Sequence, residues 1–467
     1  MEKGKNKGIS VSLRSFITAI IVIFALMVAT YVLTLVIPGG KYGRIEDANG
    51  NLIIDTNSKF EYVKGGIPFW KWLLSPFLVL GAEGSFTIIA IIAFLLVIGG
   101  VFTCLDNCGL MKYMLGKIVE KFGKSKYKLM AIIMLFFMLM GSMVGSFEEC
   151  VPLVPIVVAL AVKLGWNRIV GIAMSLLAIG CGFAAGVCNP FTVGVAQQLA
   201  SLPMFSGVWL RLVAFVLIYG LLFSFVFFYA KKIEKPIEQN SGEEEFVSSK
   251  QKDKALLLFA LIVGVGILIV LSSAFITVLQ DLSMVIVAVM FLCAGLVASF
   301  VYGMNGKEFL RSFVNGMLGI LPAVLMILMA SSIKYTLEEA KILDTVLHGA
   351  VGLADNMPRW VVILFIYLII LVMNFFIASG SAKAFMLIPI IVPLASIFNI
   401  SPQLCILAFA FGDGFSNVLY PTNAALLISL GLADVSYGKW FKWSIKFQLA
   451  NLVLTSLILL LGLVVGY

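Results

Sequence analysis

Long uncharged stretches run through nearly the whole sequence, and the longest extends from 169 to 210. About 20 consecutive apolar residues cross a bilayer as a helix. The chain is 61% hydrophobic and 12% charged, whereas a water-soluble body has about 25% charged residues to cover its surface. We therefore predict an all-α polytopic membrane protein and exclude a soluble enzyme and a nucleic-acid binder, and the alternating polarity of a membrane β-barrel is absent from the sequence. The uncharged runs are 15–40, 84–105, 129–147, 150–162, 169–210, 212–230, 255–280, 282–306, 312–333, 360–382, 384–412, 414–433 and 447–467.

The charged segments between these runs predict the orientation of the chain. Lys and Arg concentrate in the first 14 residues and in 106–128, and an excess of basic residues is typical of cytoplasmic loops. The charged linker 231–254 is assigned to the same side, whereas the mixed-charge segment 41–66 is expected outside. The net charge of +9 therefore reflects topology, and the N-terminus is predicted to be cytoplasmic.

Two runs are too short to cross the membrane. Residues 150–162 make about 20 Å of helix and residues 384–398 slightly more, against a hydrocarbon core of about 30 Å. Each run follows a cluster of charged or small residues. We therefore predict two re-entrant hairpins, 129–163 and 361–398, and the alternative is an ordinary crossing with a charged loop.

The two halves of the chain align at one constant shift in residue number. This shift superposes Glu149 on Lys383 and the first predicted hairpin on the second. It also aligns a proline, a glycine and an asparagine of each half, namely Pro155 with Pro389, Gly180 with Gly414, and Asn189 with Asn423. A single shift that aligns all of these predicts an internal repeat, and the predicted orientations make the repeat inverted.

The repeat divides the chain into four parts. Residues 1–230 form the first repeat, 231–254 the cytoplasmic linker, 255–280 a connecting helix and 281–467 the second repeat. The connecting helix is what reverses the orientation of the second repeat. Each repeat is expected to contain one re-entrant hairpin and one broken transmembrane helix, and the broken helices are 169–200 and 403–431. This is the architecture of secondary transporters.

Charged residues at the predicted hairpin tips indicate a functional site. Glu148, Glu149 and Lys383 all fall at tips, and a charge at membrane depth costs several kcal/mol unless it is paired or hydrated. The alternative is a structural salt bridge between Glu149 and Lys383. Asp413 is interpreted either as a proton or cation site or as a residue near the interface, and Asn417, one turn further on, could line the same cavity.

Each broken helix has its own proline. Pro190 frees the carbonyl of Gly186, and Pro421 frees that of Asn417, because proline has no backbone N–H. Freed carbonyls and half-helix C-termini suit cations, and exposed half-helix N-termini suit carboxylates. The neutral donors and acceptors beside these breaks are Asn189, Thr192, Thr422 and Asn423.

Four motifs resemble the YfcC-like branch of the C4-dicarboxylate anaerobic carrier (DcuC) family. They are GSFEECVPLVP at 145–155, GFAAGVCNPFTVGVAQ at 182–197, ASGSAKAFMLIPIIVP at 378–393 and GDGFSNVLYPTN at 412–423. The third and fourth are also similar to the AbgT transporters, and both families belong to the ion transporter superfamily. The resemblance implies a scaffold plus a transport domain, elevator-type alternating access, a homodimer and a bacterial inner-membrane location.

The resemblance also implies two cation sites. The tip Gly145–Ser146 and the break near Gly186 would form one, and Ala378–Ser381 with the break near Tyr420 would form the other. Together with the two residues of the Asp413 turn, the cation-coupling candidates are Gly145, Ser146, Gly186, Ala378, Ser381, Asp413, Asn417 and Tyr420. No cofactor is expected beyond possible coupling to Na⁺ or H⁺.

We predict secondary transport of a small carboxylate-bearing metabolite, with a basic amino acid preferred. Glu148 and Glu149 would attract an ammonium or guanidinium group, and Lys383 with the helix N-termini would hold the α-carboxylate. The close alternative is a C4-dicarboxylate or other organic anion carried with Na⁺ or H⁺. The substrate-binding candidates are Ser146, Glu148, Glu149, Asn189, Thr192, Ser379, Ser381, Lys383, Thr422 and Asn423.

Two other function classes are less well supported by the sequence. The Ala-Phe-Gly-Asp run that ends at Asp413 differs from a Gly-x-Gly-Asp intramembrane aspartyl site, because Ala410 replaces the first glycine. The single histidine excludes a His-Glu-x-x-His zinc protease. A channel is disfavoured because the hairpin tips would block a continuous pore, so a carrier is expected and not an enzyme.

Overall fold

The computed structural model describes ten ranges of the chain, and its statements hold for these residues alone. The ranges are 13–46, 52–54, 58–82, 85–145, 147–203, 205–235, 249–272, 283–352, 357–377 and 379–467. Five predicted features lie wholly or partly outside the described residues. These are the basic N-terminus up to residue 12, most of the linker 231–254, the end of the connecting helix from 273, Ser146 and Ala378.

The described chain is almost entirely helical. The α-helices are α1 Leu13–Val36, α2 Phe69–Leu73, α3 Ser75–Leu78, α4 Ser85–Asn107, α5 Leu110–Phe122, α6 Lys126–Leu139, α7 Val154–Lys163, α8 Arg168–Ile172, α9 Ala178–Ala185, α10 Val195–Leu199, α11 Val208–Ile233, α12 Lys250–Ser272, α13 Ser283–Tyr302, α14 Gly306–Glu339, α15 Leu343–Gly352, α16 Arg359–Phe376, α17 Gly380–Ile397, α18 Pro402–Gly414, α19 Ala424–Leu432 and α20 Tyr437–Val464. Single π-turns occupy Met140–Val144, Ala173–Leu177 and Pro190–Gly194, and 3₁₀ segments occupy Val79–Gly81, Gly123–Ser125, Glu148–Leu153 and Phe415–Val418.

Nine helical segments of the described residues are long and apolar enough to cross a membrane. Many of their large apolar side chains are exposed, as Val216 and Leu268 are at 65% each. Such side chains are compatible with lipid and not with water, so the prediction of an all-α polytopic membrane protein is confirmed. The inverted repeat and the re-entrant course of the hairpins stay predictions.

The segment 41–66 contains short strands that the sequence analysis did not predict. Strand β1 (Gly39–Lys41) pairs with β4 (Glu61–Val63), and β2 (Arg44–Glu46) pairs with β3 (Leu52–Ile54), both antiparallel. Arg44 forms an ion pair of 3.0 Å with Asp344 of α15. The two small sheets are thereby fastened to an amphipathic helix.

The second predicted hairpin differs from its sequence-based description. The run 384–398 was interpreted as too short to cross, but α17 already begins at Gly380 and has 18 residues, or about 27 Å. The corresponding helix of the first hairpin, α7, has 10 residues. The reason is that Ser379 caps α17 and that the charge of Lys383 is neutralised within the protein, so the tip residues can be helical.

The helices form two bodies that alternate along the chain. We call 13–125 with 249–352 the frame body and 126–235 with 357–467 the site body, each within its described residues. The frame body contains α1–α5, α12–α15 and the strands, and α4 packs against α14 at its centre. The site body contains α6–α11 and α16–α20, with α9 packed between α6, α11 and α18.

Hydrogen bonding separates the two bodies. All eight ion pairs between described side chains join partners of the same body. The side-chain hydrogen bonds and ring contacts between described residues follow the same division. Across the boundary, α19 packs on α1 and α14, and α7 packs on α5. The boundary is therefore held by van der Waals and apolar contact between described side chains.

An apolar cavity of about 350 Å³ lies on this boundary. The site body contributes Phe136, Met140, Cys150 and Leu153 to its wall, and the frame body contributes Val263, Ile267, Val287, Met290 and Phe291. Packing at the boundary is thus incomplete at this point, which contrasts with the close helix contacts inside the site body.

Replacing Gly182 by Ala should lower the thermal stability. A Cβ on this residue of α9 would lie 2.0 Å from Met138 O of α6, so the two helices would have to separate. Overpacking of this kind costs about 1–3 kcal/mol. The measurement is the thermal unfolding temperature of the purified protein in detergent.

The matched control is Gly220→Ala in α11, where a Cβ would meet nothing within 4 Å. This variant should unfold at the wild-type temperature or slightly above it, because alanine is the better helix former. Equal unfolding temperatures for the two variants would contradict the close approach of α6 and α9.

Candidate functional site

A fully buried ion pair lies at the centre of the site body. Lys383 Nζ is 2.5 Å from Asp413 Oδ1, and both side chains are 0% exposed. Lys383 lies in the first turn of α17 and Asp413 in the last turn of α18. Two charges taken out of water require each other, since removing either leaves an uncompensated charge in a medium of low dielectric.

The sequence places Lys383 at this position through a break between two helices. Helix α16 ends at Phe376, and Ser379 begins α17 by accepting a hydrogen bond from the Ala382 N–H. The ammonium of Lys383 then donates to Ile377 O at 3.2 Å. A cation in the first turn of a helix is disfavoured by the helix dipole, so the carboxylate of Asp413 is what stabilises it here.

Asn374 of α16 connects the ion pair to the end of α18. Its Oδ1 accepts a hydrogen bond from Lys383, and its Nδ2 lies 3.1 Å from Asp413 O. The same Nδ2 is 2.6 Å from Ser416 Oγ and 3.0 Å from Asn417 Oδ1. One amide side chain therefore fixes the geometry of both ionised residues and of the 3₁₀ segment that follows them.

The second oxygen of Asp413 has no hydrogen-bond partner among the described residues. It faces Gly380, where an added Cβ would lie 2.6 Å from Asp413 Oδ2 and 2.7 Å from Thr192 Cγ2. The hydroxyl of Thr192 is also buried without a hydrogen-bond partner in the described chain. Two polar side chains, one from each half of the sequence, thus converge on a glycine that leaves room for both.

The first helix break is held by side chains from neighbouring helices. Helix α9 ends at Gly186, whose φ of +50° favours glycine. Ser142 Oγ accepts a hydrogen bond from the Val187 N–H at 3.0 Å, and Arg211 Nε donates to Val187 O at 3.2 Å. Beyond the break, Asn189 Oδ1 accepts from the Thr192 N–H at 3.3 Å.

The second break is held in a similar way by α20. Three side chains of α20 donate to backbone carbonyls of the segment 415–419. Tyr437 bonds to Leu419 O at 2.9 Å, Trp440 to Val418 O at 2.7 Å and Gln448 to Phe415 O at 3.1 Å. Asn423 then caps α19 by accepting from the Leu426 N–H at 3.2 Å. The two asparagines aligned by the repeat, Asn189 and Asn423, therefore both cap the segment after a break.

The structure brings four of the predicted residues into one group. Thr192, Lys383 and Asp413 converge on Gly380, and Asn417 joins them through Asn374. The pairing of Lys383 with Asp413 was not predicted, since the sequence analysis offered Glu149 as the partner of Lys383. The side chain of Glu149 lies outside the described part of the structure.

The remaining predicted residues surround this group. Gly145 and Gly186 both have positive φ and end helical segments. Glu148 is half-buried at the start of the 3₁₀ segment Glu148–Leu153, and Tyr420 contacts Phe375 with ring centroids 5.4 Å apart. The other predicted contact residues are Ser379, which is exposed, Ser381, which is half-buried, and Thr422, whose hydroxyl is buried without a hydrogen-bond partner among described atoms.

Two residues of the site body were missed by the sequence analysis. Asn374 is a single amide inside an apolar run, and its distance from other polar residues in the sequence gave no signal. Arg211 had been used only to mark the end of an uncharged run, yet it is 0% exposed. It donates to Phe205 O and Ser206 O as well as to Val187 O.

Lys383→Met should destabilise the protein by about 3–5 kcal/mol, because Asp413 is left as a buried charge without its partner. The double variant Lys383→Met/Asp413→Asn carries neither charge and should recover most of the loss. The control is Lys71→Met, since its ion pair with Glu339 is 30% and 38% exposed and is expected to contribute at most about 1 kcal/mol. Unfolding temperatures measure all three, and equal losses in the single and double variants would argue against the pair.

Comparison with known proteins assigns the chain to a family of transporters. The family model of the C4-dicarboxylate anaerobic carriers (DcuC) matches residues 16–464. The Escherichia coli (strain K12) protein named "Putative basic amino acid antiporter YfcC" is 29% identical over 401 residues, which cover 82% of this chain and 79% of that protein. An uncharacterized protein of Haemophilus influenzae is 24% identical over 77% of this chain and 73% of its own length.

Two solved structures are similar in overall course. The YdaH transporter of Alcanivorax borkumensis gives a TM-score of 0.47 at 19% identity, covering 96% of this chain and 99% of that one. MtrF of Neisseria gonorrhoeae, described within a class of antimetabolite efflux pumps, gives 0.45 at 14% identity and 94% coverage of each chain. The family match confirms the prediction of a transporter and not an enzyme. Because that match extends over nearly the whole length, the chain belongs to the C4-dicarboxylate anaerobic carrier family.

Proposed function

We propose that the protein is a secondary active carrier of a small carboxylate-bearing metabolite, with a basic amino acid as the preferred substrate. Uptake or exchange would proceed by elevator-type movement of the site body against the frame body. The observation that supports this best is the location of the ion pair Lys383–Asp413, which lies in a body whose described side-chain hydrogen bonds stop at its boundary. The homodimer implied by the resemblance would hold two frame bodies together.

The nature of the boundary supports movement of one body as a unit. Sliding two surfaces breaks every directional contact between them, and each buried polar group left without a partner costs about 1–3 kcal/mol. Apolar contacts are not directional and re-form after a shift. A boundary without hydrogen bonds between described side chains therefore favours rigid-body movement, whereas the ion pairs within each body keep each body intact.

The preference for a basic amino acid depends on the acidic residues of the first hairpin tip. Glu148 and Glu149 would bind the ammonium or guanidinium group, as expected from the sequence. The name of the E. coli relative supports the same substrate class. In this state Lys383 is bound to Asp413, so it would contact a substrate carboxylate only after that pair separates.

The alternative substrate is a C4-dicarboxylate, and the description of the family favours it. Two carboxylates need two positive partners. Lys383 is one, and the helix N-termini after the breaks, capped by Asn189 and Asn423, would supply the other. Purified protein in liposomes distinguishes the two substrate classes.

Liposomes containing the protein should take up labelled arginine in preference to labelled fumarate. Glu148→Gln should raise the KM for arginine by roughly ten-fold or more, since a charge-assisted hydrogen bond contributes about 1.5–3 kcal/mol. Glu61→Gln in the frame body is the control, because Glu61 is exposed and paired with Lys41 at 3.7 Å. Arginine uptake that is unaltered in Glu148→Gln, or fumarate uptake driven by Na⁺, would overturn the basic amino acid assignment.

Cross-linking the two bodies should stop transport. Cys150 of the site body and a cysteine introduced as Val287→Cys in the frame body line the same cavity. In a background with the other cysteines replaced by Ala, a bifunctional thiol reagent should reduce uptake by at least about ten-fold, because movement of the bodies is blocked.

The control pair is Val263→Cys with Val287→Cys, in which both residues line the cavity from the frame body. Its cross-link should leave uptake close to that of the untreated protein. Full uptake by the cross-linked Cys150 pair would rule out sliding at this boundary.

A further inference from the structure

We propose that Asp413 Oδ2 is the atom that binds the coupling proton, with Thr192 Oγ1 as its hydrogen-bond acceptor. Binding of the proton releases Lys383 to hold the carboxylate of the substrate. The inference rests on the proposed carrier function and adds the coupling ion and the atoms that bind it. It makes the ion pair an exchangeable contact, in which a substrate carboxylate replaces Asp413 on the ammonium.

The two oxygens of the Asp413 carboxylate have different surroundings. Oδ1 lies 2.5 Å from Lys383 Nζ, whereas Oδ2 has no hydrogen-bond partner among the described residues although the side chain is 0% exposed. A buried polar atom without a partner is rare in native proteins and calls for an explanation by function or by an additional bound species. A proton at this atom provides one.

The surroundings of Oδ2 supply an acceptor for that proton. Thr192 is 0% exposed, and its Oγ1 also has no hydrogen-bond partner within the described chain. Both side chains approach Gly380, at distances of 2.6 Å and 2.7 Å from the position of an added Cβ. A protonated Oδ2 would donate to Thr192 Oγ1, and both buried oxygens would then be satisfied.

The same geometry disfavours a metal cation. Cations such as Ca²⁺ take six to eight oxygen ligands, whereas Asp413 and Thr192 are the described side chains that converge here. A cation beside Oδ2 would also lie close to the ammonium of Lys383 in a medium where like charges repel strongly. A proton needs one donor and one acceptor, so the observed atoms are sufficient for it.

The charged and titratable groups around Asp413 are few. Lys383 of α17 is the ionised residue that contacts it, and Asn374 of α16 is neutral. The other helices packed against α18 carry Tyr367, whose hydroxyl is 2.8 Å from Thr455 Oγ1, and the buried thiol of Cys181. The carboxylate of Asp413 is therefore the group whose charge can change when a proton arrives from water.

The cycle balances one proton against one carboxylate. On the open side, a proton from water forms an O–H bond at Asp413 Oδ2, and the carboxyl group becomes neutral. Lys383 is then a buried cation without a counterion, which is strongly unfavourable until the substrate carboxylate pairs with it. On the other side the substrate leaves, the proton returns to water and the pair of Lys383 with Asp413 forms again.

The test uses full-length protein in liposomes with labelled arginine as the probe. An inward proton gradient should drive accumulation in the wild type, and a Na⁺ gradient should not replace it. Asp413→Asn should lose gradient-driven accumulation at least about ten-fold more than it loses exchange of labelled for unlabelled arginine, because exchange needs no release of the proton. Equal losses of the two activities would overturn the inference.

Thr192→Val keeps the shape of the side chain and tests the acceptor even if Asp413→Asn folds poorly. Loss of the acceptor disfavours the protonated form, so the pH of half-maximal uptake should shift downward by at least about half a unit. Thr192→Ser should restore the wild-type profile, and Thr455→Val, a buried threonine of α20 away from this site, should keep it. An unshifted profile in Thr192→Val would contradict the assignment.

Failure of the proposed function and of this inference give different results. If the wild type transports neither arginine nor fumarate under any gradient, the carrier proposal fails. If the wild type accumulates substrate equally well without a proton gradient, or with Na⁺ alone, transport stands and the proton assignment fails.

Discussion

The pairing of Lys383 with Asp413 is the constraint on which the site body depends. Two opposite charges without solvent contact must remain together, so the first turn of α17 has to lie against the last turn of α18. Asn374 extends this constraint to α16 and to the 3₁₀ segment 415–418. Three segments that are otherwise covered by apolar side chains, and would be free to slide, are thereby held in one register.

The boundary between the two bodies has the opposite character. In a membrane, apolar side chains gain little by contacting each other instead of lipid, so tight association depends on close packing and on polar contacts. The boundary lacks hydrogen bonds between described side chains and contains a cavity of about 350 Å³. The protein thus concentrates its directional interactions within each body, and the interface between them is the weakest part of the described structure.

Local signals in the sequence were sufficient for much of this description. Uncharged runs predicted the helices, and Pro190 and Pro421 predicted the breaks, because length and proline act on the chain itself. The partner of Lys383 could not be predicted, since it depends on how α16 and α18 pack. Asn374 gave no signal for the same reason. The length of α17 was underestimated, because a lysine was assumed to end a buried helix, and its pairing removes that cost.

The bracing of the second break by α20 has a consequence for evolution. The carbonyls of 415–419 belong to the main chain, which substitution cannot alter directly. Their direction is set by donors from Tyr437, Trp440 and Gln448 on a helix that follows them in sequence. Related carriers can therefore acquire new ligand preferences through mutations in this last helix, remote from any residue that touches cargo, and conservation at the cavity alone would underestimate how far such specificities have diverged.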